Sequence, residues 1–437
     1  MRRLICKGIL LGAMVLSSLC LHAQERPRAV TLIRTETGPY SLVERSDWSR
    51  YDNEKYIGHV YHEVRAFITP IEADDPDTLV YRGNFFVLEE TLRDMRQSAQ
   101  AVDVVVPVDF QLRGNGTIKI EGDQGFPSLR GFPTFPVQQV WPGSKWNARG
   151  ERAVDPLNTG KPVVVPFLAE YEYRGVEVYR DVPVHRIVAR YPARYQGNAA
   201  GGPGFVKLQG SHTVDILLRV SDGLPLLMRD NLDETFSWAD GSTVRFRGFT
   251  LTFGQGSVPL NKNAVIASLK HEIEDNEVIT PPDIVPIESE PAAVIAVAED
   301  SASKDDKAVV MNLGTDIDLV PVPEGIRLTI KDIRFVPDSA AFLPVERPRL
   351  DKIAQALKQV PERIFLVEGH TAATGDPGGE MDLSIQRAKH MVDELVSRGI
   401  SADRLIYKGW GGTKPLGDNA KEPGRALNRR VEITILE

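Results

Sequence analysis

Of the 437 residues only Cys6 and Cys20 carry a thiol, and both lie in the N-terminal segment. If that segment is removed, the remainder has no disulfide, no cysteine nucleophile and no thiolate metal site. Beyond it the chain lacks any apolar run approaching the ~20 residues of a membrane helix. It also lacks an excess of positive charge. The formal net charge is -8, which argues against nucleic acid or an anionic lipid surface as a partner. Yet 42% of the residues are hydrophobic and 26% charged, so a chain disordered throughout is excluded. That length exceeds one ordinary core, and two or three domains are expected.

What is present begins with residues 1–23. Arg2, Arg3 and Lys7 form a basic start, Gly8 to Leu21 an apolar run, and Ala23 follows in "LHA". This is the layout of a secretory signal peptide and predicts cleavage after Ala23. Lipidation of Cys20 is a rival route, although bulky Leu19 stands where a small residue usually precedes such a cysteine. Removing residues 1–23 takes away three positive charges and moves the net charge from -8 to -11.

Residues 24–121 read as a β-rich subdomain with one helix, over Val87 to Gln100. The Pro- and Gly-rich residues 122–150 read as a long loop or a subdomain boundary, and 151–260 as a second β-rich subdomain. In "AEYEYRGVEVYRDV", Ala169, Tyr171 and Tyr173 alternate with Glu170, Glu172 and Arg174, the mark of a strand with one wet face. In "ETFSWADGSTVRFRGFTLTF" a hairpin turns at Asp240-Gly241. The apolar parity then flips between Phe246 and Phe249, which predicts a β-bulge near Gly248. Residues 261–318 are acidic, Pro-punctuated and free of aromatics, and read as a flexible linker, with a short strand around Ala292 to Val297 as an option. Over 319–437 strands and helices alternate, with "SIQRAKHMVDELVSRG" a helix carrying Ile385, Ala388, Val392 and Leu395 on one stripe and stopping at Gly399. The predicted fold class is multidomain: an antiparallel β-rich N-terminal region, a flexible acidic linker and a C-terminal α/β domain with helices packed on its sheet.

The fragments "FVPDSAAFLP", "GHTAATG", "LSIQRAKHMVDELVSRGI", "RLIYKGWGGTKP" and "NAKEPGRALNRRVEI" occur in an order and spacing that resemble the OmpA-like domain, over about residues 325–437. The resemblance implies a module of the bacterial envelope that holds the peptide stem of peptidoglycan without reaction, cofactor or metal. A diamino-acid end presents an ammonium and a carboxylate together, so its receptor needs an acid and an arginine. Arg387 matches the family's carboxylate-binding arginine, and is expected early on its helix, where the dipole favours an anion. A salt bridge to a neighbouring carboxylate is the alternative role. Ala372 stands where the family carries the ammonium-binding aspartate. Glu380, in place of the usual asparagine, either takes over that contact or is a solvated residue at a helix start. Thr371 is expected to serve the loop through its hydroxyl, Asp376 to be a turn residue beside Pro377, and His370 to be structural. Arg429 and Arg430 either line the groove or brace the last strand.

The N-terminal half offers His185, His212 and Asp215, and "HTVD" reads as strand alternation rather than a catalytic dyad. "GNAAGGPGF" lacks the lysine of a phosphate loop. The expected function is therefore non-catalytic: the C-terminal domain binds peptidoglycan, weakened or re-tuned by Ala372, and the N-terminal region engages an envelope protein, glycan or lipid. The alternative is a structural protein whose OmpA-like fold has lost peptidoglycan. The expected location is the periplasm, associated with the outer membrane or wall. Some relatives carry a membrane β-barrel before this module, but the long Pro/Gly loop and irregular strand spacing argue against one here.

Overall fold

The computed structural model describes residues 29–35, 38–71, 78–88, 99–197, 205–256, 260–274, 311–312, 317–336 and 339–437. The expected signal peptide and the option of a strand over 292–297 lie outside the described residues. So does most of the helix expected over 87–100, of which Val87 and Gln100 instead belong to strands.

The N-terminal region is built of β1 (Tyr40–Asp52), β2 (Lys55–Ile71), β3 (Thr78–Leu88), β4 (Gln100–Arg113), β5 (Ile118–Glu121), β6 (Leu129–Arg130), β7 (Lys145–Val154), β8 (Val163–Tyr179), β9 (Val182–Gln196), β10 (Lys207–Arg219), β11 (Pro225–Ser237) and β12 (Thr243–Gly256). Alternation makes these strands two-faced. Ala169, Tyr171 and Tyr173 of β8 are buried beside Ile187, Ala189 and Tyr191 of β9. Outward positions carry ion pairs such as Arg186–Asp215 (3.0 Å) and Arg245–Asp233 (2.6 Å), where a lipid-facing barrel would carry an apolar band. The expected turn at Asp240-Gly241 forms, with Gly241 at φ +87°, and the chain also turns at Asp222-Gly223, with Gly223 at +74°.

Two expectations are corrected here. The region is not split at 122–150. β1 pairs antiparallel with β2 on one side and with β12 on the other, from Tyr40↔Gly256 to Asp52↔Val244. The order is therefore β5-β4-β3-β2-β1-β12-β11-β10-β9-β8-β7-β6, one continuous antiparallel sheet. The Pro/Gly segment packs into it through Phe126, Phe132, Phe135 and Val140. Nor is there a bulge at Gly248, for the ladders of β12 run through it in unbroken register. The parity flips because Thr250 and Thr252 line an internal cavity while Phe249, Leu251 and Phe253 take the other face. Glycine is required at 248 for another reason: a Cβ would meet Asp47 O at 2.1 Å.

The C-terminal region comprises α1 (Lys262–Glu274), β13 (Met311–Asn312), β14 (Ile317–Val322), β15 (Gly325–Ile330), α2 (Arg347–Lys358), β16 (Phe365–Gly369), α3 (Pro377–Ser397), β17 (Leu405–Gly409), α4 (Glu422–Asn428) and β18 (Val431–Leu436). Its sheet runs β13-β14-β15-β18-β16-β17, antiparallel except for the parallel pair β16–β17, which the crossover through α3 requires. The expected tether is corrected at both ends. Ile266, Leu269 and Ile273 of α1 enter the same core as Ile317, Leu319, Leu350 and Ile353. The acidic stretch 275–310, itself outside the described residues, thus joins two elements of the C-terminal unit instead of separating it from the β-rich region.

The two regions meet edge to face. Gln100 and Ala101 of β4 extend the C-terminal sheet by pairing in parallel with Ile406 and Tyr407 of β17. Phe67, Phe86, Leu88 and Val102 pack on Leu366, Ile406 and Leu436, the sheet face opposite the helices. Lys408 Nζ donates to Asp103 O (2.6 Å), and Arg65 to Asp403 O (2.8 Å). Because Leu269 is fully buried in the C-terminal core, Leu269→Ala is expected to cost about 2–5 kcal/mol in urea denaturation of the full chain. A change near zero would mean that α1 is only loosely attached.

Candidate ligand-binding site

α3 lies so close on the sheet that only glycine fits beneath it. A Cβ on Gly369 would sit 2.2 Å from Ser384 O, and one on Gly409 2.4 Å from Ser384 Oγ. These are the glycines of "VEGHT" and "YKGWG", and they fix where the first half of α3 stands over the ends of β16 and β17. The helix begins with Pro377 in its first turn, a position where a missing N–H costs nothing. Asp376 precedes it, and its carbonyl accepts the Glu380 N–H (2.9 Å).

Glu380, Ser384 and Arg387, at positions i, i+4 and i+7, share one face of α3, and all three are buried. Glu380 Oε1 accepts the backbone N–H groups of Thr374 (2.5 Å) and Gly375 (3.0 Å) and the Thr374 hydroxyl (3.2 Å). These donors, the Thr374 N–H foremost, hold its pKa below the usual carboxylate range, so the group is an anion clamped to the β16–α3 loop. Its second oxygen lies beside Gly412, 3.0 Å from where a Cβ would be. Ser384 Oγ accepts the Gly411 N–H (2.8 Å). Arg387 stacks its guanidinium on the Phe335 ring, 4.2 Å from the centroid.

Ala372 is buried and offers no polar group. Thr371 ties the loop through its backbone and not, as expected, through its hydroxyl: its N–H donates to Gly411 O (3.0 Å), while the hydroxyl is buried without a partner among the described residues. Thr371, Ala372, Glu380 and Arg387 are thus gathered by one loop and one helix face. The two remaining candidates are engaged elsewhere. Arg430 is buried, donating to Glu432 (2.7 Å) and Lys414 O (3.1 Å), and Arg429 pairs with Glu422 of α4 (2.5 Å). One placement is corrected. Because α3 starts at Pro377, Arg387 lies in its third turn, beyond the reach of the terminal dipole, and Glu380 holds the first turn instead.

Sequence reasoning missed the supports. Phe335 is the platform of Arg387, yet in "FVPDSAAFLP" it looks like one more apolar residue. Asn428 Oδ1 accepts the N–H groups of Leu416 (2.7 Å) and Gly417 (2.9 Å). Its amide donates to Asn419 Oδ1 (2.8 Å), which also accepts the Ala373 N–H (3.1 Å). The signal was the asparagine beginning "NRR". In the β-rich region His185 bonds Tyr173 (2.9 Å), and Asp215 faces outward to Arg186 while His212 faces inward, as alternation requires.

Residues 334–429 match the OmpA family. The peptidoglycan-binding protein ArfA of Mycobacterium tuberculosis is 40% identical over 103 residues, covering 24% of this chain and 32% of the relative. The probable lipoprotein YiaD of Escherichia coli is 33% identical over 123 residues, covering 28% of this chain and 56% of the relative. A solved outer membrane protein from Borrelia burgdorferi is 33% identical, with 28% of this chain and 97% of that one covered and a TM-score of 0.24. The chain spans about a third to somewhat over half of these two curated relatives.

His370 lies beneath the loop, buried, with Nε2 3.8 Å from Glu432 Oε2. Burial first, then the Arg430 charge, lowers its pKa to about 3. Its folded value lies below the unfolded one, so the stability tied to the neutral ring is complete above pH ~6.5 and is lost as pH falls towards ~3. The ring resonances of His370 are expected to stay fixed between pH 8 and 5 by NMR. A titration midpoint near 6.5 would contradict a buried neutral ring.

Proposed function

We propose, from a C-terminal region that belongs to the OmpA family over residues 334–429, that this chain is a non-catalytic envelope protein whose α3 face grips the diamino-acid end of a peptidoglycan stem. The observation that carries the reading is the pairing of Glu380 and Arg387 on one buried helix face. Arg387 offers a planar fork to the ligand carboxylate, steadied by Phe335. Side chains of a helix lean towards its N-terminus, which directs Arg387 back towards Glu380. Glu380, held ionised by the loop amides, receives the ammonium through the oxygen beside Gly412. Ala372 removes the family's acid, and the loss of one charged hydrogen bond costs about 1.5–3 kcal/mol, or roughly 10–150-fold in affinity. Wall binding is therefore retained and weak. ArfA, named for peptidoglycan binding, supports the ligand class.

In this reading the protein resides in the periplasm against the outer membrane or wall, and the β-rich region engages a second envelope component. The test is co-sedimentation of the full chain with purified sacculi. Binding is expected, falling at least tenfold in Arg387→Ala and in Glu380→Gln, and rising about tenfold or more in Ala372→Asp. Parent binding that ignores both Arg387→Ala and Glu380→Gln would place the contact elsewhere. No binding at all would leave the alternative, a fold that has lost its ligand.

A further inference from the structure

We propose that the N-terminal sheet is itself a binding site, taking an amphiphile with one apolar chain and an ammonium head into the cavity enclosed by its rolled strands. The cavity measures about 510 Å3, within the range of small-molecule sites. Its apolar wall includes Val64, Val106, Met228, Leu232, Phe236 and Phe246. These are inward-facing residues of four different strands, and Phe236 and Phe246 meet edge to face. A chain has room here without displacing any core residue.

At the polar end three carboxyl groups, Glu44, Asp230 and Glu234, converge with two bases, Arg152 and His212, while His62, also on the lining, is held towards its neutral form by burial. Arg152 spends both arms on Glu234 (2.6 and 2.9 Å) and approaches His212 Nε2 (2.9 Å). His212 Nδ1 is 2.8 Å from Asp230 Oδ2. Even with His212 protonated, one carboxyl has no countercharge. The excess falls on Glu44, whose pKa is raised by burial, and on Asp230, whose Oδ1 is buried without a hydrogen bond among the described residues. A buried polar cluster left incomplete is costly, and a cation with N–H donors completes this one.

Access is built into the sheet. Between Ala101, paired to β17, and Asp109, paired to β5, the outer edge of β4 has no neighbouring strand among the described residues. Val104 lies in that stretch, lines the cavity and is 42% exposed. A chain can therefore enter between β4 and the 155–162 loop, which also lines the cavity. A second cavity of about 120 Å3 shares Glu44 and Met228 with the first and continues the apolar path past the acid.

This inference names a ligand for the β-rich half of the proposed function and does not depend on wall binding by the other half. The test is isothermal titration of the full chain with decylammonium and decyl sulfate below their micelle concentrations, on the parent, Glu44→Gln and Val106→Phe. One decylammonium per chain is expected, bound at least tenfold more tightly than decyl sulfate. Glu44→Gln should weaken it about tenfold or more, and Val106→Phe should weaken both ligands by reducing the cavity. Decyl sulfate bound as tightly as decylammonium, or affinity indifferent to Glu44→Gln, would overturn the ammonium site. Absence of binding by the folded parent would overturn the cavity as a site. Glu44→Gln should still co-sediment with sacculi as the parent does, so that failure of one reading does not mimic failure of the other.

Discussion

The C-terminal site depends on one close approach, that of α3 to the ends of β16 and β17. At Gly369 and Gly409 the helix backbone and Ser384 occupy the space a Cβ would need. Everything at the site takes its position from this contact. It presents Glu380, Ser384 and Arg387 to the loops and lets Ser384 Oγ reach the Gly411 amide. It also brings the backbone N–H groups of Thr374 and Gly375 within hydrogen-bond range of the Glu380 carboxylate. A methyl group at either glycine would lift the helix and uncouple the acid from the loop that fixes it.

The β-rich region solves a different problem. A long antiparallel sheet must either leave its inner face wet or close on itself, and this one rolls and packs the Pro/Gly segment inside. The rolled interior retains a cavity and a charge cluster, which is expensive without a ligand and inexpensive with one of matching charge. The same sheet lends the start of β4 to the C-terminal sheet and covers its helix-free face at Leu366, Ile406 and Leu436. The two proposed binding surfaces are therefore held in one assembly, with Lys408 and Arg65 pinning backbone carbonyls across the junction.

Much of the C-terminal fold was legible, because its signals are local. The helix stripe of Ala388, Val392 and Leu395 and the stop at Gly399 with φ +92° appear as read, and Ile400 just beyond is buried. Ile385, at the edge of that stripe, is exposed. Arg387 and Glu380 were legible through their motif, but the clamp on Glu380 and the Phe335 platform were not, since both depend on contacts between distant segments. The acidic composition of 261–318 masked the three apolar residues of α1, spaced i, i+3, i+7, which read as part of a tether until a core was there to receive them. The parity flip in β12 was seen correctly and explained wrongly. Alternation reports which face is apolar, and a lumen that needs Thr250 and Thr252 reverses what apolar means for inside and outside.

In the proposed function the α3 face holds the two charges of a diamino-acid end at once. Amide chemical-shift mapping of the full chain with a soluble muropeptide bearing a free diamino-acid end addresses it most directly. Shifts are expected to concentrate at Thr374, Gly375 and the Gly411–Thr413 loop, together with the Arg387 side chain. Saturating binding with those positions unmoved, or shifts confined to another face of the protein, would contradict it.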